Sequence, residues 1–167
     1  MTKNMLALLL IFGTALSVAL AAESYLARFE GGIGVIPVAS AAGTQNVDGS
    51  FPNVLQNNVR GVPPAGRPWV IARLSADVGS SGQISVDGRG LLLAGGNNIG
   101  TNPGQMVQAT LFCGSVMHQS GLVQPDAAGD FKIDDTLSPV PPDPCTSPVL
   151  LIVGSGGSWV AAGIPKH

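Results

Sequence analysis

The 167-residue chain has few charged and few aromatic side chains. Charged residues make up 11% of the sequence, against about 25% in a typical soluble domain. Lys and Arg are scattered, and nucleic-acid affinity rests largely on phosphate neutralisation by basic patches, so we expect no nucleic-acid partner. The low charge does not indicate disorder, because 45% of the residues are hydrophobic and the net charge is only −2. The composition predicts a folded domain.

Long apolar runs are also scarce. One of them, Met5 to Leu20, carries no charge and follows Lys3. Ala19-Leu20-Ala21 then supplies the small-x-small pattern of a signal-peptidase site. These features predict a secretory signal peptide over residues 1–21 and a single mature domain over residues 22–167. A membrane anchor is the alternative, but the run is shorter than the roughly 20 residues that cross a bilayer. We expect a secreted or periplasmic protein with no membrane span after signal cleavage.

The chain has only two cysteines, Cys113 and Cys145. In an exported protein such a pair usually forms a disulfide. Closing the loop of about 33 residues from Cys113 to Cys145 would stabilise the fold by about 3 to 4 kcal/mol in the chain-entropy model. The alternative is metal ligation together with His118, but a structural zinc site needs four ligands and this set offers three. We therefore expect a Cys113–Cys145 disulfide.

Helical periodicity is missing after the predicted signal peptide, where 22 of the 23 glycines and all 13 prolines separate short apolar segments instead. This pattern is typical of an all-β domain, and we predict an antiparallel β-sandwich, with a β-barrel as the alternative. Residues 97–105 and 138–148 are expected to be loops. The predicted strands are Tyr25–Val38, Trp69–Val78, Gln83–Leu93, Met106–His118, Phe131–Leu137, Val149–Val153 and Ser158–Ile164.

Two of these strands predict which side chains face the core. Trp69–Val78 alternates with a period of two, which places Trp69 on the polar face, where its ring would be partly exposed. A turn at residues 79–82 would set Val78 opposite Gly82 and Arg73 opposite Asp87.

In the Met106–His118 strand, Cys113 would lie on the apolar face and His118 on the other, at an exposed strand end. Val149–Val153 is apolar on both faces, which indicates a central strand. The following turn, at residues 154–157, predicts a hairpin with Ser158–Ile164.

No catalytic signature is present in the sequence. The glycine-rich stretches break the dinucleotide and phosphate-loop patterns, and no Gly-x-Ser-x-Gly motif occurs. His118 has Ser120 two residues away, but a nucleophilic triad is defined by geometry rather than by adjacency. We predict no catalytic residues and favour a protein that is not an enzyme. A hydrolase with a site assembled from distant residues stays open.

The main polar feature is a group of acids at Asp126, Asp130, Asp134 and Asp135. Calcium prefers several oxygen ligands, but the spacing is not that of an EF-hand, and ordinary turn chemistry explains Asp126 and Asp130. We expect no cofactor, with calcium as the alternative. Carboxylates from this group and an exposed Trp69 could also serve a carbohydrate site. The candidate ligand-binding residues are therefore Trp69, His118, Asp126, Asp130 and Asp134.

Three stretches, Ala109–Gly114, Phe131–Asp135 and Trp159–Pro165, resemble a group of secreted bacterial proteins of uncharacterised activity. The resemblance implies export and no particular chemistry. The leading hypothesis is a non-enzymatic structural or interaction module outside the cytoplasm, whose partner is a protein or a glycan. A carbohydrate- or calcium-binding β-sandwich is the second hypothesis, and the hydrolase with a non-local site is the third.

Overall fold

The computed structural model describes residues 24–40, 46–47 and 54–166. The predicted signal peptide, residues 1–21, lies outside this range. The described residues contain no helix, which confirms the all-β prediction. Their twelve strands are β1 (Tyr25–Gly34), β2 (Val38–Ser40), β3 (Val54–Gln56), β4 (Trp69–Val70), β5 (Arg73–Gly79), β6 (Gln83–Arg89), β7 (Leu92–Leu93), β8 (Val107–Cys113), β9 (Val116–Gln119), β10 (Phe131–Thr136), β11 (Val149–Gly154) and β12 (Trp159–Pro165).

Eight of the strands form one curled antiparallel sheet in the order β10-β6-β5-β1-β12-β11-β8-β9. The short pairs β2-β3 and β4-β7 form two further ribbons. Strand β1 lies between β5 and β12, so the first strand joins two sets of strands that come later in the chain. Both architectures expected from the sequence are consistent with this curled sheet.

Strands β1, β5, β6 and β10 form what we name the open half, because only one face of these strands is buried. On β5, Leu74, Ala76 and Val78 are buried, while the residues between them are exposed or half-buried. On β6, Ile84 and Val86 continue the buried face. This alternation follows from the two-residue period of a strand, which sends successive side chains to opposite faces.

Strands β8, β11 and β12 form the covered half, where both faces are buried along β11, along most of β8 and over the first three residues of β12. Residues 150–154 of β11 are buried without interruption, which confirms the predicted central strand at Val149–Val153. Beside β12, the Trp159 amide donates to the Pro63 carbonyl, and Val59 and Val62 pack on the core. The hairpin predicted to follow Val149–Val153 is also confirmed, since β11 pairs with β12 through a turn at residues 154–157.

The predicted disulfide is present, with the sulfur atoms of Cys113 and Cys145 1.93 Å apart. It ties the proline-rich loop at residues 138–148 to the end of β8. The Gly114 amide donates to the Thr146 carbonyl at 2.7 Å, which adds a backbone link beside the disulfide. The two cysteines are thus cross-linked to each other, and the alternative of metal ligation with His118 is wrong.

The register predicted for the β5–β6 hairpin is wrong by two residues. Val78 lies opposite Ile84 rather than Gly82, and Arg73 lies opposite Arg89 rather than Asp87. The reason is the turn: Gly82 has a φ of +84° and its amide donates to the Gly79 carbonyl. A glycine in this conformation closes a three-residue hairpin loop, so Gly82 belongs to the loop and not to the strand.

The predicted face of Trp69 is also wrong. Trp69 belongs to a separate strand, β4, and its side chain is only 5% exposed, whereas that of Val70 is 49% exposed. The Trp69 amide donates to the Val35 carbonyl, so β4 lies beside the end of β1 and does not form one continuous strand with β5. The backbones of Gly34 and Trp69 approach so closely that a Cβ on Gly34 would lie 2.1 Å from the Trp69 carbonyl oxygen.

The single strand predicted at Met106–His118 is instead the hairpin of β8 and β9. Gly114 has a φ of +62° and precedes Ser115 in a two-residue loop, the arrangement of a type II′ turn. The turn folds His118 back opposite Leu111, on the face predicted to be apolar. His118 is consequently 2% exposed, and the expectation of an exposed strand end is wrong.

Candidate ligand-binding groove

The outer face of the open half carries ordered rows of polar side chains. Residues directly opposite each other on neighbouring strands share a face of the sheet, so the registers define these rows. From β1 to β10, one row is Arg28, Asp77, Ser85 and Asp134, and the next is Tyr25, Gly79, Gln83 and Thr136. The two rows bring together residues that are far apart in the sequence.

A cavity of about 690 Å³ lies at this end of the sheet, and we name it the groove. Most of its lining is polar, and the described residues that line it include three carboxylates and no Lys, Arg or His. The lining residues are Ser24, Tyr25, Asp77, Gly79, Ser80, Ser81, Gln83, Ile84, Ser85, Asp134, Asp135 and Thr136. The groove therefore offers hydroxyl and carboxylate groups beside one aromatic ring.

Arg28 holds the aromatic side of the groove in place. Its Nε donates to Asp77 Oδ1 at 2.6 Å, and this hydrogen bond raises the pKa of the guanidinium above its ordinary value. The Arg28 guanidinium carbon lies 4.5 Å from the centroid of the Tyr25 ring, within the range of a cation–π contact. Tyr25 is 46% exposed, so its ring is positioned by the protein and still presents surface to the groove.

The rim next to Tyr25 is formed by the β5–β6 turn. Ser24 Oγ donates to Ser80 Oγ at 3.2 Å, and the Ser80 amide donates to the Ser24 carbonyl at 3.3 Å. These contacts join the start of β1 to the turn. Gly79 lies opposite Tyr25, so there is no side chain at that position of the row. The result is a polar rim around the exposed part of the ring.

The three carboxylates of the groove differ in their partners. Asp77 forms the ion pair with Arg28. Asp135 follows Asp134 on β10, so its carboxylate lies on the other face of the strand. There it accepts from the amides of Gly121 and Thr136 at 2.6 and 2.7 Å, and these two bonds lower the pKa of its carboxyl. Asp134 accepts from Ser85 Oγ at 2.8 Å and forms no ion pair with the residues that the structure describes. Asp134 thus carries a charge that no cation of this set compensates.

Only one of the residues predicted from the sequence to bind a ligand, Asp134, lies in the groove. Trp69 lies against a separate cavity of about 370 Å³, with Arg67 and Gln105. Asp126 accepts from the amides of Ala128 and Asp130, as its predicted role in a turn requires.

Asp130 accepts from the Gly90 amide at 2.9 Å and from Arg89 at 3.0 Å. Both bonds lower the pKa of the Asp130 carboxyl, and the bond from the Gly90 amide has the larger effect. Asp126, Asp130 and Asp134 therefore have separate partners. Within the described ranges, no group of three or more His, Cys, Asp or Glu residues is placed to hold a metal ion.

His118 lies in the core, away from the groove. Its Nδ1 is 2.6 Å from the Pro139 carbonyl oxygen, so Nδ1 carries the proton of that hydrogen bond. Its Nε2 has no hydrogen-bond partner in the part of the chain that the structure describes. His118 therefore connects β9 to the proline-rich loop and is not placed beside the carboxylates of the groove.

Sequence reasoning missed Tyr25, Asp77 and Ser85 as site residues. The sequence did contain a signal for two of them, since Asp77 and Ser85 occupy polar positions in strands where polar and apolar residues alternate. The error of two residues in the predicted register does not change the face of the sheet on which they lie. The position of Tyr25 depends on the pairing of β1 with β5, which no local pattern indicates.

The chain matches no protein-family model, and comparison with curated proteins and with solved structures finds no match either. Among the residues described, no helix is long and apolar enough to span a membrane.

Proposed function

We propose that this protein is a non-enzymatic carbohydrate-binding module that acts outside the cytoplasm and binds its glycan in the groove. The observation that carries the proposal is the placement of Tyr25 by Arg28 beside a lining of hydroxyl and carboxylate groups. A sugar ring has an apolar face of C–H groups, which packs on an aromatic ring, and an edge of hydroxyl groups. The hydroxyls donate to carboxylates and exchange hydrogen bonds with Ser and Thr.

The size of the groove supports a ligand of a few sugar rings. Small-molecule sites in proteins typically enclose about 300 to 1,000 Å³, and the groove, at about 690 Å³, falls in this range. Its lining is more polar than that of most such sites, which favours a ligand rich in hydroxyl groups over an apolar one. The rim made by Ser24 and Ser80 adds hydrogen-bonding groups next to the ring.

Binding is favoured over hydrolysis by the state of the carboxylates. A glycosidase needs a general acid whose proton is retained in a protected environment, together with a second carboxylate. Asp77 is ion-paired with Arg28, and its side chain is 42% exposed. Asp134 and Asp135 are exposed, and hydrogen bonds to the amides of Gly121 and Thr136 lower the pKa of Asp135. Exposed, ionised carboxylates of this kind accept hydrogen bonds from a ligand and do not retain the proton that a general acid needs.

The extracytoplasmic part of the proposal rests on the signal-like start of the sequence and on the Cys113–Cys145 disulfide. Disulfides persist in oxidising compartments and are rare in the cytoplasm, so the cross-link is compatible with export. The resemblance to secreted bacterial proteins agrees with the same location.

Isothermal titration calorimetry with a panel of linear oligosaccharides tests the proposal. We expect binding in the micromolar to millimolar range, and a Tyr25→Ala variant that binds at least about tenfold more weakly, because it loses the stacking surface. Tyr25→Phe keeps the ring and is the matched control, with affinity close to that of the unmodified protein. Absence of binding across the panel, or equal binding by Tyr25→Ala, would contradict the proposal.

A further inference from the structure

We infer that the groove selects glycans that carry free amino groups, such as 2-amino-2-deoxy sugars, over neutral and acidic glycans of the same backbone, and that Asp134 makes the selection. The inference deepens the proposed function and rests on it. It adds a chemical class of ligand and a residue that determines specificity.

The first observation is the balance of charge along the groove. Its described lining includes Asp77, Asp134 and Asp135 and no basic residue. Arg28 neutralises Asp77 through the ion pair, and its guanidinium is also in contact with Tyr25. The carboxylate of Asp135 lies on the other face of β10, where it accepts from the amides of Gly121 and Thr136, so Asp134 supplies the uncompensated charge of the outer face. A ligand that enters the groove therefore meets net negative charge, which disfavours a uronic acid or a sulfated sugar.

The second observation is that nearby cations are committed elsewhere. Lys132 precedes Asp134 by two residues on β10, on the same outer face, but its Nζ lies 3.8 Å from Asp87 Oδ2. Arg89 is held between Asp87 and Asp130. Each of these cations already has a carboxylate partner on the sheet. The charge of Asp134 is therefore left for a cation supplied by the ligand.

The third observation is that Asp134 is oriented. Ser85 Oγ donates to Asp134 Oδ1 at 2.8 Å from the neighbouring strand, which fixes one carboxylate oxygen. The row that contains Asp134 lies next to the row that contains Tyr25. Asp134 lies three strands from Tyr25, roughly 14 Å at the usual strand spacing. When one ring of an oligosaccharide stacks on Tyr25, a ring further along the same chain therefore reaches Asp134, where its ammonium group would make a charge-assisted hydrogen bond.

The test uses β-1,4-linked pentasaccharides that differ only at carbon 2 of each ring, with hydroxyl, free amino or N-acetylamino groups. Affinities are measured by calorimetry at mildly acidic pH and low salt, where the sugar amine is protonated. We expect the amino oligomer to bind about three- to fivefold more tightly than the hydroxyl oligomer, the effect of one exposed ion pair. Added salt should reduce the difference, because the charges are exposed to solvent.

Asp134→Asn should abolish the preference and give a ratio of the two affinities near one. Asp126→Asn is the matched control, since it removes the same charge outside the groove and an Asn oxygen can still accept the turn hydrogen bonds. The control should keep the preference.

Equal affinities of the amino and hydroxyl oligomers, with Tyr25-dependent binding of both, would overturn the amine preference and leave the proposed function intact. Tighter binding of the N-acetylated oligomer would also overturn the preference, because recognition would then depend on the amide and not on charge. Absence of binding by all three oligomers would overturn the preference and count against the proposed function as well.

Discussion

The open and covered halves of the sheet are built from the same kind of strand but have different surroundings. In the open half, β5 alternates buried Leu74 and Ala76 with polar Ser75 and Asp77. In the covered half, residues 150–154 of β11 are buried without a break. The comparison teaches that the covered half contributes core on both faces, whereas the open half contributes core on one face and an ordered polar surface on the other.

Strand β1 connects the two halves and serves both. Its Phe29 side chain is buried in the core, while Tyr25 and Arg28 point to the outer face of the open half. On its other side β1 pairs with β12 of the covered half. The groove is thus supported directly by the best-buried part of the molecule, which favours a site of fixed shape.

The sharpest stability contrast lies within one row of outer-face residues. Ile33, Ala162 and Leu151 are cross-strand neighbours, yet Leu151 is fully buried and Ile33 is 58% exposed. Leu151→Ala should lower the free energy of unfolding by about 3 to 5 kcal/mol, because it leaves a cavity. Ile33→Ala should change it by less than about 1 kcal/mol. Denaturant unfolding measures both, and similar losses would contradict the division into two halves.

Loss of the disulfide should have the next largest effect. Replacing Cys113 and Cys145 together by Ala should destabilise the protein by about 3 to 4 kcal/mol, because the unfolded chain loses the constraint of the closed loop. Thermal unfolding of the variant, with the disulfide-bonded unmodified protein as the reference, measures the change, and the reduced unmodified protein should unfold like the variant. An unchanged melting temperature would show that the hydrogen bonds of residues 138–148 hold the loop by themselves.

The covered half was the easier part to predict from the sequence. Val149–Val153 is a continuous apolar run, and its burial on both faces follows directly from that pattern. Even there, the turn at Gly114 and Ser115 was missed because apolar residues flank it closely, although a Gly-Ser pair between two short runs is a hairpin signal.

The groove was beyond the reach of the sequence for a different reason. Its two sides come from β1 and from β5, β6 and β10, and the pairing of β1 with β5 is a long-range contact. Trp69 was assigned to the wrong face for the same reason, since its amide pairs with the distant Val35 carbonyl. Local alternation predicts faces within a strand but not which strands become neighbours.

A change at Arg28 should separate binding from stability. Arg28→Gln removes the ion pair to Asp77 and the contact that positions the Tyr25 ring, so affinity for the neutral hydroxyl oligomer should fall about three- to fivefold. The free energy of unfolding should stay close to that of the unmodified protein, as for most exposed substitutions. Arg73→Gln, on the same outer face, is the control and should leave affinity unchanged. Equal losses of affinity in the two variants would contradict a specific role for Arg28.

The smallest expected effect concerns acid stability. The amides of Gly121 and Thr136 lower the pKa of Asp135 in the folded protein, so the ionised carboxylate contributes stability above its unfolded pKa of about 3.9. That contribution is lost as the pH falls through the lowered folded pKa. Asp135→Asn should therefore lose less stability than the unmodified protein when the pH is lowered below about 4. If the unfolding free energies of Asp135→Asn and of the unmodified protein fall in parallel as the pH is lowered, the role assigned to the Asp135 carboxylate is contradicted.

The central claim, that the polar face of the open half binds a glycan, is tested most directly by a nuclear magnetic resonance titration. A protein labelled with nitrogen-15 is titrated with the β-1,4-linked amino pentasaccharide, and the shifts of the backbone amides are mapped. We predict shifts concentrated at Tyr25, Asp77, Ser85 and Asp134, with β8 and β11 unaffected. Shifts centred on the covered half, or no shifts with any oligosaccharide of the panel, would contradict the account.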